Sequence, residues 1–439
     1  MASGQPNAEN RGRTGAVLAL AGLLLWGLCP IAARAGMLSW HHHKADSSAQ
    51  GKGTVASQPP AFSIPVEPLG FYSPGPYYLG QREALVSLDF VDENRLLFTF
   101  RAPGLIHRAV GSDSERQIRA EVLTLPQGAI ETEALWTLHD HDRYLWMLHN
   151  GYFLLRDENA LKEGDSKLAL RPLLEFPGPL LSIEMDPGQK YVVTNSFEPL
   201  PVKPQEDQVP SPSTAEADVS TDDKQESDKR DIVLRILDRT SGRVMLVSRV
   251  RSQVHLPINS DGYVETLPDK PREWLLSFDL FAGGSKVLGQ VDSSCQPPIE
   301  FLSHDRAIVN TCVFENGRRL VALSTEGHKL WESASPATQI WPILVMSPDG
   351  SRLARETLIL DHSVEDFGHA LDAQDVKGQM VEVFDAAGGK LLLQAPANPI
   401  LDGGGNVAIS PSGKRVAILN AGAIDIYEFK QSEPVSPAR

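Results

Sequence analysis

Cysteine and basic charge are both scarce in this chain. Three cysteines occur in 439 residues, at Cys29, Cys295 and Cys312, and no two of them form a Cys-x-x-Cys pair. So few cysteines exclude a disulfide-rich scaffold and a zinc ribbon. Lys and Arg number 41 against 56 Asp and Glu, and the formal net charge is -15. An acidic chain without a basic stripe repels phosphate backbones, so we predict no nucleic-acid partner.

Long hydrophobic runs are also missing. The apolar stretch 16–28 has 13 residues, whereas a membrane-spanning helix needs about 20. It lies between a basic start, Arg11-Gly12-Arg13, and the small residues of Ala33-Arg34-Ala35, which is the order of a secretory signal. We predict a signal peptide over 1–35, export to the periplasm or the exterior, and no permanent membrane span after cleavage. A retained anchor and a lipoprotein anchor at Cys29 are the alternatives.

Local catalytic motifs are absent from the sequence. It has no Gly-x-Ser-x-Gly elbow and no phosphate-binding Gly-rich loop. These are the signatures of an α/β-hydrolase nucleophile and of nucleotide binding. We therefore predict no catalytic residue and favour a non-enzymatic role over an enzymatic one.

What the chain does contain is a repeated unit of strand, tight polar turn and strand. Residues 343–354 read Ile-Leu-Val-Met-Ser-Pro-Asp-Gly-Ser-Arg-Leu-Ala, and residues 406–417 read Asn-Val-Ala-Ile-Ser-Pro-Ser-Gly-Lys-Arg-Val-Ala. One such unit cannot bury its own apolar face and must stack on the next. The repetition predicts an architecture of stacked, similar sheets.

The spacing of the turns indicates which repeat architecture this is. Successive turns lie mostly 43 to 63 residues apart, close to the size of a four-stranded propeller blade. They are predicted near 92–94, 141–142, 186–188, 259–262, 304–305, 347–350 and 410–413. A second, Gly-containing turn recurs at 237–244, 324–331 and 383–391. We therefore predict an all-β fold, a seven-bladed β-propeller of four-stranded antiparallel blades.

These motifs carry a family resemblance. A Ser-Pro-Asp-Gly turn followed by an Asp-x-x-x-Gly turn before the last strand of the blade resembles the YVTN-type and quinoprotein-like propellers, over about residues 85 to 430. The resemblance implies blades and no particular activity. The Trp-Asp and Gly-His pairs of WD-repeat proteins are missing. Quinone-holding members carry repeated Trp-docking motifs, and only the copy ending at Trp331 is similar to one, so we predict no cofactor.

The rest of the chain divides around this propeller. We expect a flexible leader over 36–61, the propeller over 62–430 and a flexible tail over 431–439. Residues 198–231 are Pro-, Ser- and acid-rich and have almost no large apolar side chains. Such a segment cannot repay the entropy of ordering. We therefore predict a disordered insertion between the second and third strands of the third blade.

Closure of the ring needs one more strand. The last blade supplies only three strands after Gly405, and an open blade edge leaves backbone groups unpaired. We predict that the segment from Gly70 to Gly80 supplies the outer strand. An unattached N-terminal arm is the alternative.

Two cysteines remain after removal of the signal. If Ser303 pairs with Arg306 across a turn, Cys312 lies opposite Pro297, one pleat away from Cys295. A small register shift would bring the two sulfurs within bonding reach, and two cysteines outside the cytoplasm indicate one disulfide. We predict the disulfide Cys295–Cys312, with two unpaired buried thiols as the alternative.

The insertions share one placement in the repeat. Residues 102–116, 198–231, 268–273 and 359–377 each connect a second strand to a third. Because successive strands alternate in direction, these loops emerge on one face, and loops on a rigid scaffold usually carry binding. We predict ligand or partner contacts on this face, near the central channel, with neutral drift of loop length as the alternative. The candidate residues are His107, Arg108, Asp361, His362 and Asp366.

Two histidine-containing clusters invite a metal interpretation. His139 and His141 are two apart, but they fall in a predicted turn, where polar side chains are expected anyway. Glu365 and His369 are four apart and would share a face of a helix, although the surrounding spacing matches no EF-hand loop. We predict no metal site and keep Glu365 and His369 as minor candidates.

Three functions remain open at this point, of which a structural subunit of an envelope complex is the third and would be recognised by a purified chain that is not a monomer. The first is an exported, non-catalytic propeller that acts as a scaffold for an unknown protein or extracytoplasmic ligand. The alternative is a hydrolase or lactonase-type enzyme whose residues converge on the channel from separate blades. Ionisable side chains clustered around a deep axial pocket would favour the enzyme, and an apolar, uncharged channel mouth would favour the binder.

Overall fold

Strands make up almost all regular structure in this protein. The computed structural model describes residues 58–75, 83–102, 115–140, 142–199, 230–312, 317–364 and 371–430. Within these ranges the helical segments are short 3-10 turns at Glu67–Leu69, His149–Gly151 and Ala373–Asp375. No helix in the described part of the chain has the length and apolarity needed to cross a membrane. The predicted all-β class is confirmed.

The strands form seven antiparallel sheets in which neighbours follow the order of the chain, except that β1 pairs with the last strand, β27. After β1 (Phe62–Pro65), the first blade contains β2 (Val86–Asp92), β3 (Arg95–Arg101), β4 (Arg116–Thr124) and β5 (Ala129–Leu138). The second contains β6 (Leu145–Met147), β7 (Phe153–Asp157), β8 (Ala160–Gly164) and β9 (Leu170–Glu175). The third contains β10 (Leu180–Met185), β11 (Tyr191–Pro199), β12 (Arg230–Asp238) and β13 (Val244–Val250).

The remaining strands complete the ring in the same way. The fourth blade contains β14 (Gly262–Lys270), β15 (Glu273–Leu280) and β16 (Ser285–Asp292), and the fifth contains β17 (Ile299–Ser303), β18 (Arg306–Asn310), β19 (Gly317–Ser324) and β20 (Lys329–Pro336). The sixth contains β21 (Gln339–Met346), β22 (Arg352–Leu360), β23 (Val376–Asp385) and β24 (Leu391–Ala397). The seventh contains β25 (Val407–Ile409), β26 (Arg415–Asn420) and β27 (Ala423–Glu428) together with β1.

Face-to-face stacking of the blades explains the composition of the strands. In β3 the five residues between Arg95 and Arg101 are all buried, because this strand is covered by a neighbour on each side. An apolar cluster lies between each pair of adjacent blades, including the pair formed by the seventh and the first. Such a cycle of interfaces buries every blade and closes the ring.

The inner strand of the fourth blade is reduced to one bridge. Ile258 pairs with Tyr263 as an isolated antiparallel bridge on the inner side of β14. The intervening turn is held by Asn259, whose side-chain oxygen accepts hydrogen bonds from the backbone N–H groups of Asp261 and Gly262 at 2.8 and 3.0 Å. The predicted turn at 259–262 is therefore present.

The strand that closes the ring is not the predicted one. β1 pairs antiparallel with β27, with Phe62 opposite Ile426 and Ile64 opposite Ile424. Residues 71–75 of the predicted segment contain no strand, and residues 76–80 lie outside the described residues. The physical reason is alternation: Ile64 is buried in the cluster between the seventh and first blades while Ser63 faces outward, and the Pro- and Gly-rich segment after Gly70 offers no such pattern.

One predicted turn is also wrong, and one predicted loop is shorter than expected. In the second blade the turn between the first two strands lies at His149–Gly151 and not at 141–142. Residues 139–140 and 142 belong to the connection from β5 to β6. Residues 268–273 do connect the second strand of the fourth blade, β14, to the third, β15, but as a tight hairpin in which Lys270 is opposite Glu273. The wrong turn follows from β6, which has only three residues and shows too little alternation to locate its turn.

The predicted long insertion does fall between strands two and three of the third blade. Pro199, the last residue of β11, is opposite Arg230, the first residue of β12. The predicted insertion 198–231 therefore begins and ends inside paired strands, and residues 200–229 lie outside the described residues. The predicted signal peptide and tail, and most of the predicted leader, lie outside them as well.

Candidate functional site

A large cavity lies along the axis of the ring. It has a volume of about 880 Å³ and is lined by the inner strands of the blades, including β2, β10, β17, β21 and β25. Its lining extends to the turns between first and second strands, with Asn150, Pro187, Pro348 and Pro411 at that end. A cavity of this size is within the usual range for a small-molecule site.

Eight ionisable side chains line this cavity: His149, Asp186 and Asp349 lie in turns between first and second strands, and the other five lie in inner strands or in connections between blades. These five are Asp89, Arg143, Glu184, His255 and Glu300. Three come from inner strands, where alternation places neighbours such as Leu88 and Phe90 in the blade interface and leaves Asp89 on the channel side. The other two, Arg143 and His255, come from connections between blades. The ring therefore brings charged side chains from five separate segments into one cavity.

His255 is fixed by two acceptors. Its Nδ1 is 2.7 Å from Oε1 of Glu184, and its Nε2 is 2.8 Å from the carbonyl oxygen of Ile299. A carbonyl oxygen only accepts, so Nε2 must carry a proton. Burial by itself lowers the pKa of His255, but the hydrogen bond and charge of Glu184 outweigh it and raise the pKa to about 9. The imidazole is therefore a cation at neutral pH, paired with Glu184.

Arg143 presents a guanidinium group that is oriented by its surroundings. Nε donates to the carbonyl oxygen of Leu145 at 3.2 Å, and the guanidinium lies 5.3 Å from the ring centre of Trp146. Among the residues that the structure describes, neither Nη atom has a hydrogen-bond partner. Removal from bulk water lowers the pKa of Arg143, while the charges of Asp89 and Glu300 oppose this. The group remains a cation, since an arginine in a protein stays protonated.

Two carboxyl groups complete the cluster. Oδ2 of Asp89 accepts a hydrogen bond from the Ser87 hydroxyl at 2.6 Å. Burial raises the pKa of Asp89 to about 6, against the opposing effects of Ser87 and Arg143. Burial also raises the pKa of Glu300, against the charges of His255 and Arg143. Since Arg143 acts on both carboxyls, the three groups share one electrostatic environment.

The opposite sector of the channel is apolar. Pro342, Ile343 and Val345 of β21 and Ala408 of β25 line the cavity there. The three residues of β21 are partly exposed, and that exposure is to the cavity. Apart from Asp349 in the turn of the sixth blade, the channel thus has a charged side, from the first to the fifth blade, and an apolar side, from the sixth and seventh blades. The channel therefore matches neither the charged pocket expected of an enzyme nor the uncharged mouth expected of a binder.

The described residues among those predicted at the second-to-third-strand face, Asp361 and His362, lie on that connection and do not line the cavity. Asp361 and His362 follow β22 and lie near Asp375, and the ligand atoms of these three residues lie within 4.8 Å of one another. Nδ1 of His362 is 2.9 Å from Asp361, and Lys377 forms an ion pair with Asp361 at 2.9 Å. His362 and Lys377 lower the pKa of Asp361. The cluster is thus satisfied by its own members.

Other predicted candidates lie outside the described residues. They are His107, Arg108, Glu365, Asp366, His369 and, from the first histidine cluster, His141. The prediction of contacts on the second-to-third-strand face stays a prediction. The described part of that face contributes nothing to the cavity lining.

The remaining histidine and the cysteines have structural partners. His139 contacts Asp157, with Nδ1 3.0 Å from Oδ1 and its backbone N–H donating to the same oxygen at 3.1 Å. This pair anchors the connection between the first two blades. Cys295 and Cys312 are joined by a disulfide with their Cα atoms 5.6 Å apart, and the backbone N–H of Cys312 donates to Ser293 Oγ at 2.9 Å.

The sequence does contain a signal for the channel cluster. Asp89, Glu184 and Glu300 each lie between two apolar residues of an inner strand, before its turn. A charge at that position is expensive unless it faces water or a partner. Arg143 and His255 carry no comparable signal, because they lie in connections where charged residues are common.

The fold and this channel define the class of protein, a seven-bladed β-propeller. No protein-family model matches the chain, and no curated protein is significantly similar to it. Propellers appear among the solved structures that it resembles. The β-propeller domain of the Trilobed protease from Pyrococcus furiosus is 10% identical, with a TM-score of 0.43, and the match covers 81% of this chain and 100% of that one.

Two further structures show the same degree of similarity. An uncharacterised protein of Listeria monocytogenes EGD-e is 8% identical, with a TM-score of 0.44, over 81% of this chain and 97% of that one. The acylaminoacyl peptidase of Pyrococcus horikoshii is 9% identical, with a TM-score of 0.42, over 81% of this chain. The chain spans about half, 54%, of that peptidase. Similarity this low concerns the fold alone.

Proposed function

We propose that this chain is a ligand-binding β-propeller that acts outside the cytoplasm and takes a small polar ligand into its central channel. The observation that carries the proposal is the oriented Arg143 guanidinium, whose two Nη atoms face the cavity without a partner among the described residues. A guanidinium cannot serve as a base, and its planar donors are suited to recognition. Asp89 and Glu300 share its surroundings and add selectivity.

The state of His255 supports binding over catalysis. Two histidines belong to the cavity lining: His149 lies in the turn after β6, and His255 has both of its nitrogens engaged, by Glu184 and by Ile299. A general base needs a free nitrogen within reach of the proton that it removes. Here the imidazole is instead a fixed cation that neutralises Glu184.

The test uses the full chain purified from its native envelope. Native mass spectrometry should show a small molecule retained in stoichiometric amount. Hydrogen exchange with and without that molecule should show protection in β2, β10 and β17. Protection confined to the loops after second strands would instead place the contacts on the originally predicted scaffold face.

A hydrolase with residues in the channel is the second candidate. Two carboxyl groups with raised pKa values, Asp89 and Glu300, lie in one cavity, and shifted carboxyls are typical of acid–base sites. A panel of esters and lactones would test it. Catalysis requires turnover that falls by about 100-fold or more in both Asp89→Asn and Glu300→Gln, and a panel without turnover would contradict it.

Export is part of the proposal and has its own test. The basic, apolar and small-residue segments of 1–35 support it. The mature protein should begin at Gly36, as read by N-terminal sequencing of material recovered from the envelope or the medium. Recovery of an intact N-terminus from the cytoplasm would contradict export.

A further inference from the structure

We propose, building on the channel site above, that its ligand is a small zwitterion with an apolar side chain. Such a ligand is a free amino acid of this kind or a short peptide with free termini. The ligand carboxylate contacts Arg143, its ammonium group contacts Asp89 and Glu300, and its apolar side chain lies against β21. Three independent features of the channel support this assignment.

The first feature is the geometry of Arg143. Its Nε donates a hydrogen bond to the carbonyl oxygen of Leu145, and the guanidinium lies over the ring of Trp146. These two contacts fix the plane of the guanidinium. The two Nη groups that remain are parallel donors, the arrangement that binds a carboxylate through two hydrogen bonds. The charges of Asp89 and Glu300 act on Arg143, but neither carboxylate forms a hydrogen bond with it among the described residues. An anionic group on the ligand would satisfy it.

The second feature is the charge around Arg143. Glu184 is neutralised by His255, which leaves Asp89 and Glu300 to balance one guanidinium. Glu300 accepts no hydrogen bond from the described residues, and Asp89 accepts one, from Ser87. Counted in their ionised forms, Asp89 and Glu300 outnumber the one remaining cation, Arg143, by one charge. A ligand with only a carboxylate would leave that excess, whereas an ammonium group on the same ligand compensates it.

The third feature is the apolar wall. Pro342, Ile343 and Val345 are partly exposed to the cavity, although side chains of this type gain by removal from water. An apolar side chain on the ligand would cover them. A sugar or a dicarboxylate has no apolar surface for this wall.

The experiment compares one ligand with its blocked forms. Leucine, leucyl-leucine, N-acetyl-leucine and leucinamide are titrated calorimetrically into the full chain. We expect leucine or leucyl-leucine to bind, and each blocked form to bind about tenfold more weakly or worse, since each has lost one charge-assisted contact. Preference for leucyl-leucine over leucine, or the reverse, identifies the length of the ligand.

Variants assign each end of the ligand to its residue. Arg143→Gln should weaken leucinamide, which has no carboxylate, less than it weakens the free zwitterion. Glu300→Gln should weaken the free zwitterion and leave N-acetyl-leucine almost unchanged. Arg251→Gln, an exposed arginine outside the cavity lining, is the matched control and should have no effect. Equal binding of free and blocked forms, or an unchanged affinity in Arg143→Gln, would overturn the inference.

Failure of the inference can be told apart from failure of the channel site. If the ligand retained from the native envelope is no zwitterion, but is lost in Arg143→Gln, the channel site stands and the ligand class is wrong. If no zwitterion binds and the retained material is unaffected by Arg143→Gln, both are wrong.

Discussion

The imidazole of His255 lies between Glu184 and Ile299, 2.7 Å from the carboxylate of the first and 2.8 Å from the carbonyl oxygen of the second. Glu184 belongs to the third blade and Ile299 to the fifth. His255 itself lies before the fourth blade, whose inner strand is a single bridge. One side chain thus connects the inner edges of blades on either side of the thinnest part of the ring.

This arrangement predicts a pH dependence of stability. The folded-state pKa of about 9 lies above the ordinary value of 6.5, so the stabilisation is complete below pH 6.5 and is lost as the pH rises through 9. Glu184→Gln should lower the pKa of His255. Because 48% of the His255 side chain is exposed, solvent screening limits the stability that is lost when His255 deprotonates to about 1 kcal/mol. An NMR titration of His255 checks this, and a wild-type pKa near 6.5 would contradict it.

Closure of the ring by β1 predicts a cost for weakening that strand. Ile64 is 3% exposed and packs between the seventh and first blades. Ile64→Ala should lower the free energy of unfolding by about 2 to 4 kcal/mol, as measured by denaturant unfolding. Ser63→Ala on the outward side of the same strand is the control and should change it by less than about 0.5 kcal/mol. Equal effects of the two substitutions would show that β1 is not the closing strand.

The disulfide predicts a response to reductant. The linked cysteines are 17 residues apart, and a loop of that size stabilises a fold by about 3 kcal/mol. Reduction should lower the melting temperature of the wild type and leave that of a Cys295→Ala, Cys312→Ala double variant unchanged. Peptide mapping without reductant should recover the linked pair. Free thiols at both positions in the exported protein would contradict the assignment.

A buried carboxyl outside the channel predicts a second pH effect. Oε1 of Glu356 accepts a hydrogen bond from Gln379 at 2.6 Å, and Oε2 has no partner in the described structure. Burial raises the pKa of Glu356 from 4.5 to about 8, so the folded state holds a proton that the unfolded state releases. Stability should therefore fall as the pH rises from 4.5 to 8.

Substitution isolates this effect. Glu356→Gln removes the titration and should be more stable than the wild type above pH 8, by about 1 to 3 kcal/mol. Thermal melts across pH check the prediction. Glu428→Gln, at an exposed carboxylate, is the control and should reproduce the wild-type curve. A Glu356→Gln curve parallel to that of the wild type would show that the carboxyl is ionised in the fold.

The architecture was readable from local sequence because it is built from local pairing. A turn such as 347–350 joins two strands that pair with each other, so its residues and the alternation around it report the structure directly. The same holds for 304–305 and 410–413. The prediction near 141–142 was wrong because β6 has only three residues, too few for alternation to be visible. There, contacts to Asp157 decide the local structure.

The channel could not be read in the same way. Asp89, Arg143, Glu184, His255 and Glu300 belong to five segments that never pair with one another. Each segment alone shows charged residues in a strand or a connection, and nothing in it indicates a chemical role for them. Their meeting depends on the number of blades and the curvature of the ring, which no local pattern records.

The amino-acid sequence alone thus determined the strands, most of the turns and the need for a closing strand, because hairpin pairing and alternation act between near neighbours. Only the tertiary structure decided that Phe62–Pro65 closes the ring and that Arg143 shares a cavity with Asp89 and Glu300. The reason is physical: those contacts join residues far apart in the chain, and their energies arise only when all the blades are stacked.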